Sequence, residues 1–133
     1  MPGGINPQNY ALENLDGPAE RVDATQVASV EDTAGDPATT YNPTRVTGLQ
    51  TVGWYLSILA DPANTGSVYV EIVEATQLTA AQVIAQATHI LTAGQYIRLF
   101  IPGGSDTAFL AQLAGSAINQ AVRMALYEVK EKR

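Results

Sequence analysis

The sequence predicts an α+β domain: a small antiparallel sheet covered by a long C-terminal helix and preceded by an extended N-terminal arm. Three observations carry this prediction. Between Thr107 and Arg133, Phe109, Leu110, Leu113, Ala114, Ala117, Ile118, Ala121, Val122, Ala125, Leu126 and Val129 recur in alternating steps of one and three, the spacing of one helix face. Three runs between residues 51 and 101 alternate with period two, as half-buried strands do. Five of the seven prolines lie in the first 48 residues, among Gly3, Gly4, Gly17, Gly35 and Gly48, where no helix can run far. An all-β sandwich of jelly-roll type is the alternative, because Gly115 interrupts the terminal pattern and residues 107–113 and 121–129 also read as separate strands.

A chain of 133 residues is the size of one domain and can bury a core by packing alone. The composition shift near Thr47-Gly48 divides it into an arm, residues 1–48, and a compact body, residues 49–133. With no cysteine, disulfides and thiolate metal sites are excluded. No apolar run reaches the ~18 residues of a membrane span, and Met1-Pro2-Gly3-Gly4 lacks the basic start of an export signal. The expectation is a chain without membrane contact, located in a virion if viral and otherwise cytoplasmic.

Charge is sparse and uneven. Residues 1–37 hold seven carboxylates against Arg21 alone, which accounts for the whole net charge of −6. The remainder is balanced and offers no basic stripe, which argues against nucleic acid as a partner. Charged residues make up 15% of the chain, where about 25% is usual. A body so poor in charge is expected to hide part of its surface against other chains.

Within the arm, Ile5, Tyr10, Leu12, Leu15 and Tyr41 are apolar anchors in a segment that cannot form its own core, so they are candidate partner-binding residues. A short strand is possible over Val22–Val30, where Val22, Ala24, Gln26, Ala28 and Val30 share one parity. In the body, Val52, Trp54, Leu56, Ile58 and Ala60 line one face of a strand, and Val68, Val70 and Ile72 one face of the next. The turn formers Asp61-Pro62-Ala63-Asn64-Thr65-Gly66 between them predict an antiparallel hairpin. Trp54 is expected in the core. Tyr55, Leu59, Tyr69 and Val73 make the opposite face apolar too, so both faces are expected to be covered.

Thr79 and Gln82 have capping-box spacing and predict a helix of two to three turns ending at Thr88. Ile97, Leu99 and Ile101 then alternate with Tyr96, Arg98 and Phe100 in a third strand. Arg98 is the only formal charge between Thr76 and Ser105. It must snorkel or pair with a carboxylate, of its own or another chain, which makes it the sixth candidate partner-binding residue.

No catalytic constellation is legible. His89 is the lone histidine and reads as a polar cap. Ser105 lacks the second glycine of a nucleophile elbow and reads as a helix cap. Gly103-Gly104 fits no phosphate loop, since no lysine follows and Asp106 would repel the anion. Glu31, Asp32 and Asp36 do not follow the EF-hand ligand order. Glu71 and Glu74 fall on opposite strand faces and cannot easily share a proton transfer. The expectation is a protein that is not an enzyme and has no cofactor or metal.

The layout, an acidic arm punctuated by Pro and Gly from Met1 to Gly48 joined to a small, cysteine-free, charge-poor body, resembles the decoration or cement proteins of tailed-phage heads. That resemblance implies a structural virion subunit that stabilises a capsid through homo-oligomerisation and arm exchange. Its partners would be copies of itself and a major capsid or other assembly subunit. The resemblance has no residue motif and carries over no site. The alternative function is a ligand-binding module, such as a carbohydrate-binding β-sandwich, using exposed rings among Tyr55, Tyr69, Tyr96 and Tyr127.

Overall fold

The computed structural model describes residues 19–27, 29–30, 35–45, 51–74, 76–104 and 108–130. Among them are eight strands and one helix: β1 (Ala19–Val27), β2 (Thr39–Tyr41), β3 (Thr51–Ala60), β4 (Val68–Val73), α1 (Ala80–Gln86), β5 (His89–Leu91), β6 (Tyr96–Pro102), β7 (Leu110–Gly115) and β8 (Val122–Lys130). They form two antiparallel four-stranded sheets, ordered β1-β8-β3-β6 and β2-β7-β4-β5. Apart from the β4–β5 pair, consecutive strands fall in opposite sheets. The chain is therefore an eight-stranded jelly roll, the all-β alternative of the sequence. Segment 1–48 supplies an edge strand to each sheet, β1 to one and β2 to the other.

The core lies between the sheets. Trp54, Leu56, Ile58 and Ala60 on β3 and Met124 and Leu126 on β8 are fully buried, as are Val68 and Val70 on β4 and Leu113 on β7. The three period-two runs thus form strands, with Trp54 inside. The hairpin expectation does not hold, because β3 pairs with β6 and β8 while β4 pairs with β5 and β7. The Asp61–Gly66 turn takes the chain from one layer to the other.

The long C-terminal helix is overturned: residues 110–130 form β7, a turn and β8. The turn is held by the β3–β4 connection rather than by helical bonds. Asn64 Oδ1 accepts from Ala121 N–H at 2.8 Å and Asn64 Nδ2 donates to Ala121 O at 2.9 Å. Gln120 Oε1 accepts from Gly66 N–H at 2.8 Å, and Ser116 Oγ accepts from Ser67 N–H at 2.8 Å. Asn119 adopts φ 64°, a left-handed turn conformation that asparagine tolerates. These long-range bonds outweigh the helix propensity of the alanines.

The short helix does form. Thr79 Oγ1 accepts from Gln82 N–H at 3.2 Å and Gln82 Oε1 accepts from Thr79 N–H at 2.9 Å, the reciprocal capping box. Its buried Ala80 and Val83 cover the outer face of the β2-β7-β4-β5 sheet. Gln112, fully buried on that face, accepts from Leu78 N–H at 2.8 Å and donates to Thr76 O at 2.7 Å. The expectation of a sheet covered on both faces holds for β4, with Tyr69 and Val73, and not for β3, whose Tyr55 and Leu59 lie on the outer face of the other sheet. No helix among the described residues is long and apolar enough to cross a membrane.

Candidate functional site

The outer face of the β1-β8-β3-β6 sheet gathers the side chains that the core does not use. Cross-strand register places Arg21, Tyr127, Tyr55 and Phe100 in one row. The next row holds Ala24, Ala125, Ser57 and Arg98, and a third brings Arg123, Leu59 and Tyr96 together. Residues directly opposite in antiparallel strands project from the same face, so these rows are contiguous.

At the centre is a stack. The Arg98 guanidinium lies 4.6 Å from the centroid of the Tyr55 ring and 5.3 Å from that of Tyr127. Phe100 meets the Tyr55 ring at 5.1 Å with a 53° tilt. Rings whose electron-rich faces meet a cation hold it by electrostatics, and Arg does this without losing its outward donors. Arg98 Nε is buried and makes no hydrogen bond among the described residues. Beside the stack, Ser57 Oγ and Tyr96 Oη are 3.0 Å apart. Tyr96 and Phe100 remain 57% and 44% exposed, which leaves rings available to a partner.

Gly53 makes room for this arrangement. A Cβ there would stand 2.4 Å from Phe100 Cζ and 2.9 Å from Ile101 O, so only glycine lets the ring lie over β3. The β-bulge in β1 between Arg21 and Asp23 also contributes. In a regular strand those two residues would share a face; the extra residue keeps Arg21 on the outer face beside Tyr127 and turns Asp23 inward beside Leu126.

A second concavity, an open groove of about 380 Å³, runs along the free edges of β5 and β6. Glu71, Thr88, His89, Leu99, Phe100 and Pro102 are among its lining residues. Thr88 Oγ1 donates to Glu71 Oε1 at 3.3 Å. Among the described residues, no group of three or more His, Asp or Glu could hold a metal ion.

Of the six candidate partner-binding residues, two are described. Arg98 neither snorkels away nor finds a carboxylate among the described residues; it is held between two tyrosines. Tyr41 is buried in β2, and its Oη donates to Asp23 Oδ2 at 2.6 Å. Ile5, Tyr10, Leu12 and Leu15 lie outside the described residues, as do Ser105, Glu31 and Asp32. Gly103 and Gly104 follow a strand, and Gly103 N–H donates back to Val52 O at 3.2 Å. Sequence reasoning missed Arg21 and Arg123. The convergence of both on the Arg98 face depends on register, and no local spacing signals it.

No protein-family model matches the chain, and no similar curated protein sequence was found. The fold is similar to that of a chain in the native virion of Kashmir bee virus at neutral pH, with a TM-score of 0.50 and 9% identity, covering 99% of this chain and 80% of that one. At that identity the likeness is one of fold. It is to a virion chain and not to a tailed-phage decoration protein, so what stands is a jelly roll of the kind that a virion chain also adopts.

Proposed function

We propose that the chain is a non-catalytic structural protein of a virion, working by packing against copies of itself and other shell subunits. The observation that carries this reading is the fold likeness, along 99% of the chain, to a chain of a virion. Low charge density supports it, since a chain with 15% charged residues is better suited to contact with protein than to full solvation. Light scattering of the purified full-length protein over a wide concentration range is the test. Discrete oligomers or shells are expected, and a strict monomer at every concentration sinks the reading.

A second reading, a non-catalytic ligand-binding β-sandwich, is favoured by a specific observation. The fold is all-β, and the rings of Tyr96 and Phe100 face solvent beside a hydroxyl pair and a stacked arginine. Flat apolar rings with polar groups at their edges suit sugar recognition. A glycan array separates the two: saturable binding lost in Tyr96→Ala, by a protein that stays monomeric, selects the second.

A further inference from the structure

The outer face of the β1-β8-β3-β6 sheet carries three arginines that no carboxylate among the described residues pairs with. Arg21, Arg98 and Arg123 stand in its three rows, and the described positions of those rows contain no carboxylate. None of the three arginines forms an ion pair among the described residues. Asp61 lies beside Arg123 at the far rim without forming an ion pair with it, and its Oδ1 accepts from Ala63 N–H at 2.8 Å. Asp23, which a regular β1 would place on this face, is turned to the other side by the bulge. The stacked Arg98 is therefore fixed in place by Tyr55 and Tyr127 without a counter-ion among the described residues, next to the exposed rings of Tyr96 and Phe100.

The same chain contains the complementary composition. Residues 1–18 carry two carboxylates, Glu13 and Asp16, no Lys or Arg, and the apolar Ile5, Tyr10, Leu12 and Leu15. A segment of that length reaches as far as ~60 Å when extended, while β1 and β6 are only about 14 Å apart across the sheet. The segment joins β1 at Ala19, on the sheet edge opposite β6 and at the rim where β8 ends. That reach is several times the width of the chain's own sheet, so the segment is long enough to span to a second copy.

From this complementarity we infer that the Arg98 face receives residues 1–18 of a second copy of the chain. The carboxylate of Glu13 or Asp16 pairs with the Arg98 guanidinium, and the neighbouring leucines lie on Tyr96 and Phe100. Charge supplies the register and apolar contact the affinity. The inference rests on the assembly reading above and names the surface that assembly uses.

The test is sedimentation velocity on full-length protein: wild type, Arg98→Gln, Glu13→Gln/Asp16→Gln, and the swap Arg98→Glu combined with Glu13→Arg/Asp16→Arg, with circular dichroism confirming that each is folded. Arg98→Gln and the double arm variant are each expected to weaken self-association about tenfold, without adding when combined, and the swap to restore part of it. Raising the salt to 0.5 M should weaken the wild type and not the Gln variants. If the protein self-associates and neither substitution changes its affinity, the dock is wrong while the assembly reading stands. A wild-type monomer at every concentration removes both. A monomer whose first 18 residues resist proteolysis until Arg98→Gln overturns the second-copy assignment in favour of the chain's own segment.

Discussion

The Tyr41 hydroxyl donates to Asp23 Oδ2 at 2.6 Å, tying β2 of one sheet to β1 of the other. Both strands are sheet edges, each paired on one side only, so this bond closes one flank of the sandwich. Thr44 N–H adds a second bond to the same oxygen at 2.9 Å. Burial works to raise the Asp23 carboxyl, but the bonds from Tyr41 and the Thr44 and Ala24 backbone outweigh it and leave it below its ordinary value. Burial first, and then the bond to Asp23 and its negative charge, push the Tyr41 phenol well above its ordinary value.

Stability should therefore fall at both ends of the pH scale through this pair. Asp23 is depressed when folded, so its contribution is complete above about pH 4 and is lost as pH falls through the folded value. Tyr41 is raised when folded, so its contribution is complete below about pH 10 and is lost as pH climbs beyond. Tyr41→Phe is expected to cost about 1 to 2 kcal/mol at pH 7, measured by urea unfolding, and to flatten the alkaline decline. An ultraviolet titration should show Tyr41 ionising only as the protein unfolds.

Gly53→Ala tests the aromatic stack from beneath. The added methyl meets Phe100 Cζ, which can swing away, and Ile101 O, which belongs to the paired strand and cannot. A loss of about 1 to 3 kcal/mol is expected. Phe100→Ala in the same chain should recover only part of it. Full recovery would mean that the backbone contact is unimportant.

Much of the sandwich was legible where one face of a strand is buried and the other is not. Trp54, Leu56, Ile58 and Ala60 announce β3 by alternation, and the capping box at Thr79 announces α1 by spacing. The terminal segment misled for a physical reason. β7 is buried on both faces from Ala111 to Gly115, so it shows no alternation, and its apolar run joins that of β8 across a turn in an accidental helical period. Strand pairing was illegible because the bonds that decide it, such as Asn64 to Ala121, span 57 residues. The arginine face was hidden in the same way. Arg21 counts as the lone cation of an acidic segment until the register of β1 and β8 sets it beside Tyr127.

Trp54 provides a direct probe of the all-β architecture. It is the only tryptophan and is fully buried between the sheets. Its emission should be blue-shifted and resist acrylamide until unfolding, while far-UV circular dichroism reports strand with little helix. A strong helical spectrum would return the chain to the α+β class.

Gln112 should be the most sensitive buried polar residue on the helix-covered face. Its amide replaces a backbone partner at both Leu78 N–H and Thr76 O, the two groups that bring the chain into Thr79 and the capping box. Gln112→Leu is close in volume and removes the partner of the buried Leu78 N–H and of the part-buried Thr76 carbonyl, which costs roughly 1 to 3 kcal/mol. Gln112→Glu replaces the amide donor by a carboxylate at a fully buried position facing the Thr76 carbonyl, and so is expected to be destabilising through the buried charge as well as the lost bond. Because the strands do not depend on this amide, hydrogen exchange should show the loss first in residues 76–86, with β3 and β8 protected to higher denaturant. Uniform loss of protection across both sheets would instead mean that the helix segment and the sandwich unfold as one unit.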